Sequence, residues 1–234
     1  MEGTIDISPA LFRDIAITIS LLLLATYAVS RIVFPKMFAA TYDFSKFLNF
    51  KLKDEFGSNL RLLSTESFYF TLILSASLSF VLLILIYGLN QIGEAAFVSW
   101  LIPTGFWAGL LIWLGVTASF QLIFLIKYLF IALVGVLFNL PASTSRHFQE
   151  VQSLNNCFVL AVTLVCTVVI YSNFMIPQIL INGIIIVTLI YLLYRSLNIY
   201  LKLEQLKLYS KLYIFSYLCS TEIIPAIVGI KLLT

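Results

Sequence analysis

The chain has 234 residues, of which 61% are hydrophobic and only 11% carry a charge. Soluble domains average about 45–50% apolar and about 25% charged residues, so this chain has too few polar side chains to cover a soluble surface. Disorder is excluded as well, since disordered segments combine low hydrophobicity with high net charge. The formal net charge of +3 is too small to suggest nucleic acid as a partner. The composition predicts an integral membrane protein in contact with the lipid bilayer.

The predicted elements are transmembrane helices, because a span needs about 20 apolar residues to cross roughly 30 Å of hydrocarbon. The N-terminus is acidic and lacks a small-residue cleavage site, so the first apolar run is expected to stay as an uncleaved membrane helix. Two long stretches, 67–126 and 151–194, contain one charge and none respectively, and each has room for two spans. Polar or proline-containing breaks divide both stretches. The expected spans lie near 13–34, 67–89, 98–120, 155–172, 177–195 and 211–231.

The region 98–140 allows two assignments, because about 40 apolar residues are interrupted only by Lys127. It forms either two spans joined by a turn near 115–119, or one span followed by a surface or re-entrant helix and a loop over 121–154. With one span, twelve of the 14 basic residues fall on one side of the membrane. Short basic loops stay in the cytoplasm, so the second assignment is favoured.

The expected architecture is therefore an all-α, polytopic membrane helix bundle. It has about six transmembrane helices in a single membrane domain over 1–234, with both termini periplasmic. The loops 35–66 and 196–210 mix aromatic or leucine residues with lysine. Such segments lie at a bilayer surface, so interfacial helices are expected on the cytoplasmic side.

Glu222 is the most informative single residue, since it lies near the middle of the last expected span. A carboxylate at that depth costs on the order of 2.5–3.5 kcal/mol by insertion scales. Pro225 leaves the carbonyl of Thr221 without its helical donor, and Ser220 adds a hydroxyl at the same level. Together with Cys219, these residues form a candidate proton, cation or substrate site. The alternative is a buried carboxylate that pins one helix to another.

Four polar residues are candidate partners of Glu222 under that alternative: Lys127, Gln121, Asn155 and Asn156. Lys127 is itself expected to snorkel to the cytoplasmic surface. His147 and Glu150 are too few ligands for a metal, and the three cysteines show no C-x-x-C spacing. No G-x-S-x-G, H-E-x-x-H, P-loop or dinucleotide motif occurs. Neither an enzyme activity nor a cofactor or metal is expected.

The run Tyr-Leu-Cys-x-x-Glu-Ile-x-Pro at 217–225 resembles the signature of a Bacteroidota family of integral membrane proteins that is known only as a domain of unknown function. The resemblance extends over nearly the whole chain. From Phe124 onward the layout is also loosely similar to that of Yip1-type membrane proteins. The first resemblance implies a bacterial inner membrane and no particular activity.

Two functions follow as expectations. The first is a non-enzymatic subunit or accessory of a larger envelope complex, in protein export or envelope biogenesis, with other membrane proteins as partners. The alternative is a small transporter or channel that uses Glu222.

Overall fold

The computed structural model of the chain describes residues 9–45, 65–92, 101, 103, 105–137, 141–172, 178–204, 216 and 219. Over these residues the fold is all-helical, which confirms the predicted helical membrane bundle. The helices are α1 (Pro9–Val33), α2 (Pro35–Thr41), α3 (Thr65–Ile92), α4 (Phe106–Leu137), α5 (Pro141–Tyr171) and α6 (Gln178–Glu204). All of these except α2 are long and apolar enough to cross a membrane. The expected span at 211–231 lies outside the described residues, apart from Ser216 and Cys219.

Proline residues set the starts of three helices. Pro9, Pro35 and Pro141 each occupy the first position of a helix, where the missing N–H would have no partner inside the helix anyway. Proline also disfavours the helical conformation of the residue before it. Phe34 accordingly has φ −124° and ψ 59°, which separates α1 from the short α2.

α4 is one continuous helix of 32 residues, about 48 Å long at a rise of about 1.5 Å per residue. A turn at 115–119 is absent from this described helix. Ser119 Oγ donates to the carbonyl oxygen of Gly115 at 3.0 Å, a contact that a regular helix provides. The region 121–154, expected as a surface or re-entrant helix and a loop, consists of the end of α4 and the start of α5, with 138–140 outside the described residues.

Five helix ends lie together at one end of the bundle. They are the end of α1, the start of α3, the end of α4, the start of α5 and the end of α6. The contacts that establish this arrangement are Ser30–Tyr69, Ser67–Gln152, Tyr128–Phe148 and Glu150–Lys202. We call it the basic end, after the residues Arg31, Lys36, Lys127, Arg195 and Lys202. The five long helices therefore alternate in direction through the bundle.

α3 is the central helix, since it packs against α1, α4, α5 and α6. Its side chains Phe70, Leu74, Phe80 and Ile84 are all buried. At the end opposite the basic end, the rings of Phe12 and Tyr87 stack with centroids 3.7 Å apart. α4 and α6 lie at the periphery and expose most of their apolar side chains, as expected of helices that face lipid or a partner protein.

Candidate functional site

A line of hydroxyl groups runs along one face of α3. Ser67, Thr71, Ser75 and Ser79 are spaced four residues apart, so their side chains lie on the same face of the helix. They cover about 18 Å from the basic end into the middle of the bundle. Ser75 and Ser79 are fully buried, and Thr71 is nearly so. We call these four residues the α3 polar column.

The inner half of the α3 polar column pairs with α4. The single proton of the Ser75 hydroxyl is shared between Gln121 Oε1 at 3.0 Å and the Thr71 carbonyl oxygen at 2.9 Å, and the hydroxyl oxygens of Ser79 and Thr117 lie 2.7 Å apart. Gln121 is 7% exposed, and its amide nitrogen has no hydrogen-bond acceptor in the part of the chain that the structure describes. These contacts fix the register of α3 against α4, and the two N–H donors of the Gln121 amide have no acceptor among the described residues.

The outer half of the column pairs with α5 through Gln152. The Gln152 amide nitrogen donates to Thr71 Oγ1 at 2.8 Å and to the carbonyl oxygen of Ser67 at 3.1 Å. Ser67 Oγ donates in return to Gln152 Oε1 at 3.2 Å. One side chain of α5 thereby binds two successive turns of α3, which holds the two helices together at the basic end.

α2 closes the basic end over the start of α5. Tyr42 Oη donates to Asn156 Oδ1 at 3.2 Å, and Ser153 Oγ donates to the carbonyl oxygen of Thr41 at 2.8 Å. The Asn156 amide nitrogen donates to the Gln152 carbonyl at 2.9 Å, so it connects this corner to the α3 polar column. Burial raises the pKa of Tyr42 above its usual range, so its hydroxyl stays a neutral donor.

A charged cluster joins α5 to α6. Lys202 Nζ lies 2.7 Å from Glu150 Oε2, and the two side chains are only 3% and 18% exposed. Five residues further along α5, Asn155 Oδ1 accepts hydrogen bonds from Tyr191 Oη at 2.7 Å and from an Arg195 guanidinium nitrogen at 3.0 Å. Lysine is almost never buried unless it is paired, and Glu150 supplies the pair here.

The chemistry of these groups is that of helix association. The α3 polar column and its partners are hydroxyls and carboxamides, which hydrogen-bond across helices for about 0.6 kcal/mol each. Among the described residues, no group of three or more His, Cys, Asp or Glu is placed to hold a metal ion. Most of the hydrogen bonds in the described polar interior therefore join one helix of the bundle to another.

The structure places the predicted partner residues in separate contacts. Gln121 faces α3, Asn155 faces α6, and Asn156 faces α2. Lys127 is half-buried on α4 near the basic end, and Cys219 is half-buried with a free thiol. The remaining candidates, Ser220, Thr221, Glu222 and Pro225, lie outside the described residues.

Sequence reasoning passed over the α3 polar column and the Glu150–Lys202 pair. The column had a readable signal, since four hydroxyl residues recur every fourth position within an apolar run. The ion pair had none, because its two residues are 52 positions apart, Glu150 in the expected helix and loop of 121–154 and Lys202 in the expected interfacial loop 196–210.

Comparison with known proteins identifies a family and no activity. No curated protein and no solved structure matches the chain. A family model described as a domain of unknown function, DUF4271, matches residues 15–233, which include most of α1 and all the other described helices. The match covers nearly the whole chain, as the sequence resemblance implied. The chain belongs to the DUF4271 family of unknown function.

Proposed function

We propose that the protein is a non-enzymatic subunit of a larger complex in a bacterial inner membrane, where the complex serves envelope biogenesis or protein export. The likeness of 217–225 to a Bacteroidota signature supports the bacterial location. The gathering of basic side chains at one end supports a cytoplasmic basic end and periplasmic termini. The observation that supports the subunit role is the length of α4, together with the exposed apolar side chains at its C-terminal end.

α4 extends past α3, the central helix, at the basic end. The Ser75–Gln121 and Ser79–Thr117 contacts set an antiparallel register between the two helices. Continued to the start of α3, this register places Thr65 level with position 131. The last six residues of α4 therefore extend about 9 Å beyond α3.

Hydrocarbon does not cover all of this helix. The bilayer core is roughly 30 Å thick, whereas α4 is about 48 Å long and still spans about 37 Å when tilted by about 40°. Lys127 marks the membrane surface, because a lysine ammonium group seeks water. Beyond it, Leu129, Leu133 and Val136 are 64%, 60% and 74% exposed. We call residues 128–137 the α4 extension. Apolar surface outside the bilayer is the mark of a protein–protein contact, so the α4 extension is the proposed contact with another subunit.

Site-specific photocrosslinking in native membranes tests this role. A photoreactive amino acid replaces Leu133 in the α4 extension, and the matched control replaces Leu111, which is 69% exposed on the same helix about 33 Å away. We expect a discrete protein adduct from position 133 and lipid adducts from position 111. Lipid adducts alone at both positions would refute the subunit role.

A transporter or channel that uses Glu222 is the second candidate. The amide nitrogen of Gln121 favours it, because this buried donor has no acceptor in the described part of the chain and is available to a passing water molecule or to an acceptor oxygen of a substrate. Purified protein in liposomes, compared with its Glu222→Gln variant, tests this function. Equal flux in both, together with a lower melting temperature of the variant, would leave Glu222 with a structural role only.

A further inference from the structure

Two residues of α4 mark the surfaces of the membrane. Trp107 is 75% exposed at the start of α4, and tryptophan side chains collect at the level of the lipid headgroups. Lys127, whose ammonium group seeks water, lies about 30 Å further along the helix axis. This separation matches the thickness of the hydrocarbon core, so Lys127 lies at the membrane surface of the basic end.

The end of α1 lies at the same level. The antiparallel register of α3 and α4 places Tyr69 level with Lys127. Ser30 Oγ lies 3.2 Å from Tyr69 Oη, and the rings of Phe34 and Tyr69 have centroids 5.6 Å apart. The last turn of α1 is therefore at the membrane surface. Lys36, the second residue of α2, lies in the headgroup layer, which is about 5–8 Å thick.

One side of this segment packs in the bundle, and the other side is exposed. Phe34 and Phe38 pack against the core. Five exposed residues, three aliphatic and two basic, form what we call the α1–α2 surface: Val29, Ile32, Val33, Arg31 and Lys36. Within the described part of the chain, neither of the two cations has a hydrogen-bond or ion-pair partner for its side chain. The α1–α2 surface thus presents two solvated cations beside exposed aliphatic side chains.

We propose that the α1–α2 surface binds an anionic phospholipid, with the phosphate between Arg31 and Lys36 and an acyl chain along the three aliphatic residues. Charge complementarity selects an anion, and a guanidinium binds phosphate through two parallel N–H···O bonds. The aliphatic side chains select a lipid over a soluble anion, because they lie where the acyl chains begin. A zwitterionic lipid carries its own ammonium group beside the phosphate, so a lipid with net negative charge is preferred.

Photocrosslinking in vesicles identifies the lipid at this surface. The purified chain carries a photoreactive amino acid in place of Ile32, which is 79% exposed, and is reconstituted in equal amounts of phosphatidylglycerol and phosphatidylcholine with the same acyl chains. The matched control replaces Leu111, which is 69% exposed near the opposite membrane surface. A basic residue near anionic lipid is worth about fivefold, so we expect about 25-fold more phosphatidylglycerol than phosphatidylcholine adducts at position 32. About equal amounts of the two adducts are expected at position 111.

Removal of the charges tests the part that the two cations play. Arg31→Gln and Lys36→Gln are each expected to lower the adduct ratio at position 32 about fivefold, and the double variant to bring it close to the ratio at position 111. Arg31→Lys keeps the charge and is expected to lower the ratio by about twofold or less, which separates a loss of charge from a change in fold.

Three results would overturn the proposed lipid site. They are equal adduct ratios at positions 32 and 111 in the parent, a ratio at position 32 that the double variant keeps, and a protein–protein adduct at position 32, which would place a second copy there. The inference is independent of the proposed subunit role. Because the purified chain is tested without partners, none of these results changes the photocrosslinking test of the α4 extension.

Discussion

The Glu150–Lys202 pair predicts how strongly α6 is held to α5. Lys202→Met removes the charge and keeps most of the side-chain length, which leaves the Glu150 carboxylate 18% exposed and without its cation. Removal of one partner from a buried pair costs about 3–5 kcal/mol. Because Glu150 keeps some contact with solvent, we expect the lower limit, about 3 kcal/mol. Lys202→Met combined with Glu150→Gln removes both charges and is expected to cost less than about 1 kcal/mol.

The native cysteines provide the assay. Cys157 and Cys166 are 1% and 0% exposed, so a thiol-reactive fluorophore reports their exposure as the detergent-solubilised protein unfolds. At about 2–4 °C per kcal/mol, the single variant is expected to melt about 6–12 °C below the parent and the double variant within about 4 °C of it. Arg31→Met, which removes an exposed cation from the same end, is the control and is expected to melt with the parent.

The double variant provides the result that could refute an interaction between Glu150 and Lys202. Glu150→Gln made alone completes the cycle. If the double variant lowers the melting temperature by the sum of the two single variants' effects, the charges do not interact in the folded protein. A single variant that melts with the parent would mean the same. High salt is expected to change these differences little, since ions screen buried pairs far less than exposed ones.

Two further predictions use the same melting assay. Gly109→Ala would place a methyl group 2.6 Å from Ile15 Cδ1, so we expect a loss of about 1–3 kcal/mol. Gly115→Ala, which meets nothing within 4 Å, is the matched control and is expected to stabilise α4 by about 0.5–1 kcal/mol. A lower melting temperature for the Gly115 variant than for the Gly109 variant would contradict this packing. Gln121→Leu removes an amide nitrogen that has no acceptor within the described helices, while Ser75 keeps its backbone acceptor, so we expect stability within about 1 kcal/mol of the parent or above it. A larger loss would indicate that the Gln121 nitrogen has an acceptor.

The fold class follows from composition. A chain with 61% hydrophobic residues belongs in a membrane, where helices let the backbone N–H and C=O groups hydrogen-bond to one another. Helix continuity does not follow from composition. Gly115 and Ser119 suit a turn as well as a helix, and only the packing of α4 against α3 selects the helix that runs from Phe106 to Leu137. The expected span 98–120 overlaps α4 over 106–120, and hydropathy alone did not indicate how far the helix continues.

The candidate site consists of polar residues with their hydrogen-bond partners on other helices. Which residues become partners depends on how the helices are shifted along one another. Gln121, Asn155 and Asn156 are recognisable in the sequence as polar groups within or near apolar runs. Their acceptors and donors lie 46, 36 and 114 positions away along the chain. No local pattern gives the relative shift of two helices, so the amides were predictable as buried polar groups and their contacts were not. The role of Glu222 stays a prediction, because this residue lies outside the described part of the chain.

The hydroxyl spacing of α3 also bears on how the chain enters the membrane. Thr71 and Ser75 each donate to the backbone carbonyl four residues earlier, and Ser79 donates to the carbonyl of Ala76. A lone α3 can therefore enter the lipid with these hydroxyls already bonded to its own backbone. Contacts with α4 and α5 then form as those later segments arrive. The helix that ends up at the centre of the bundle is thus equipped to be inserted before most of its neighbours have been synthesised.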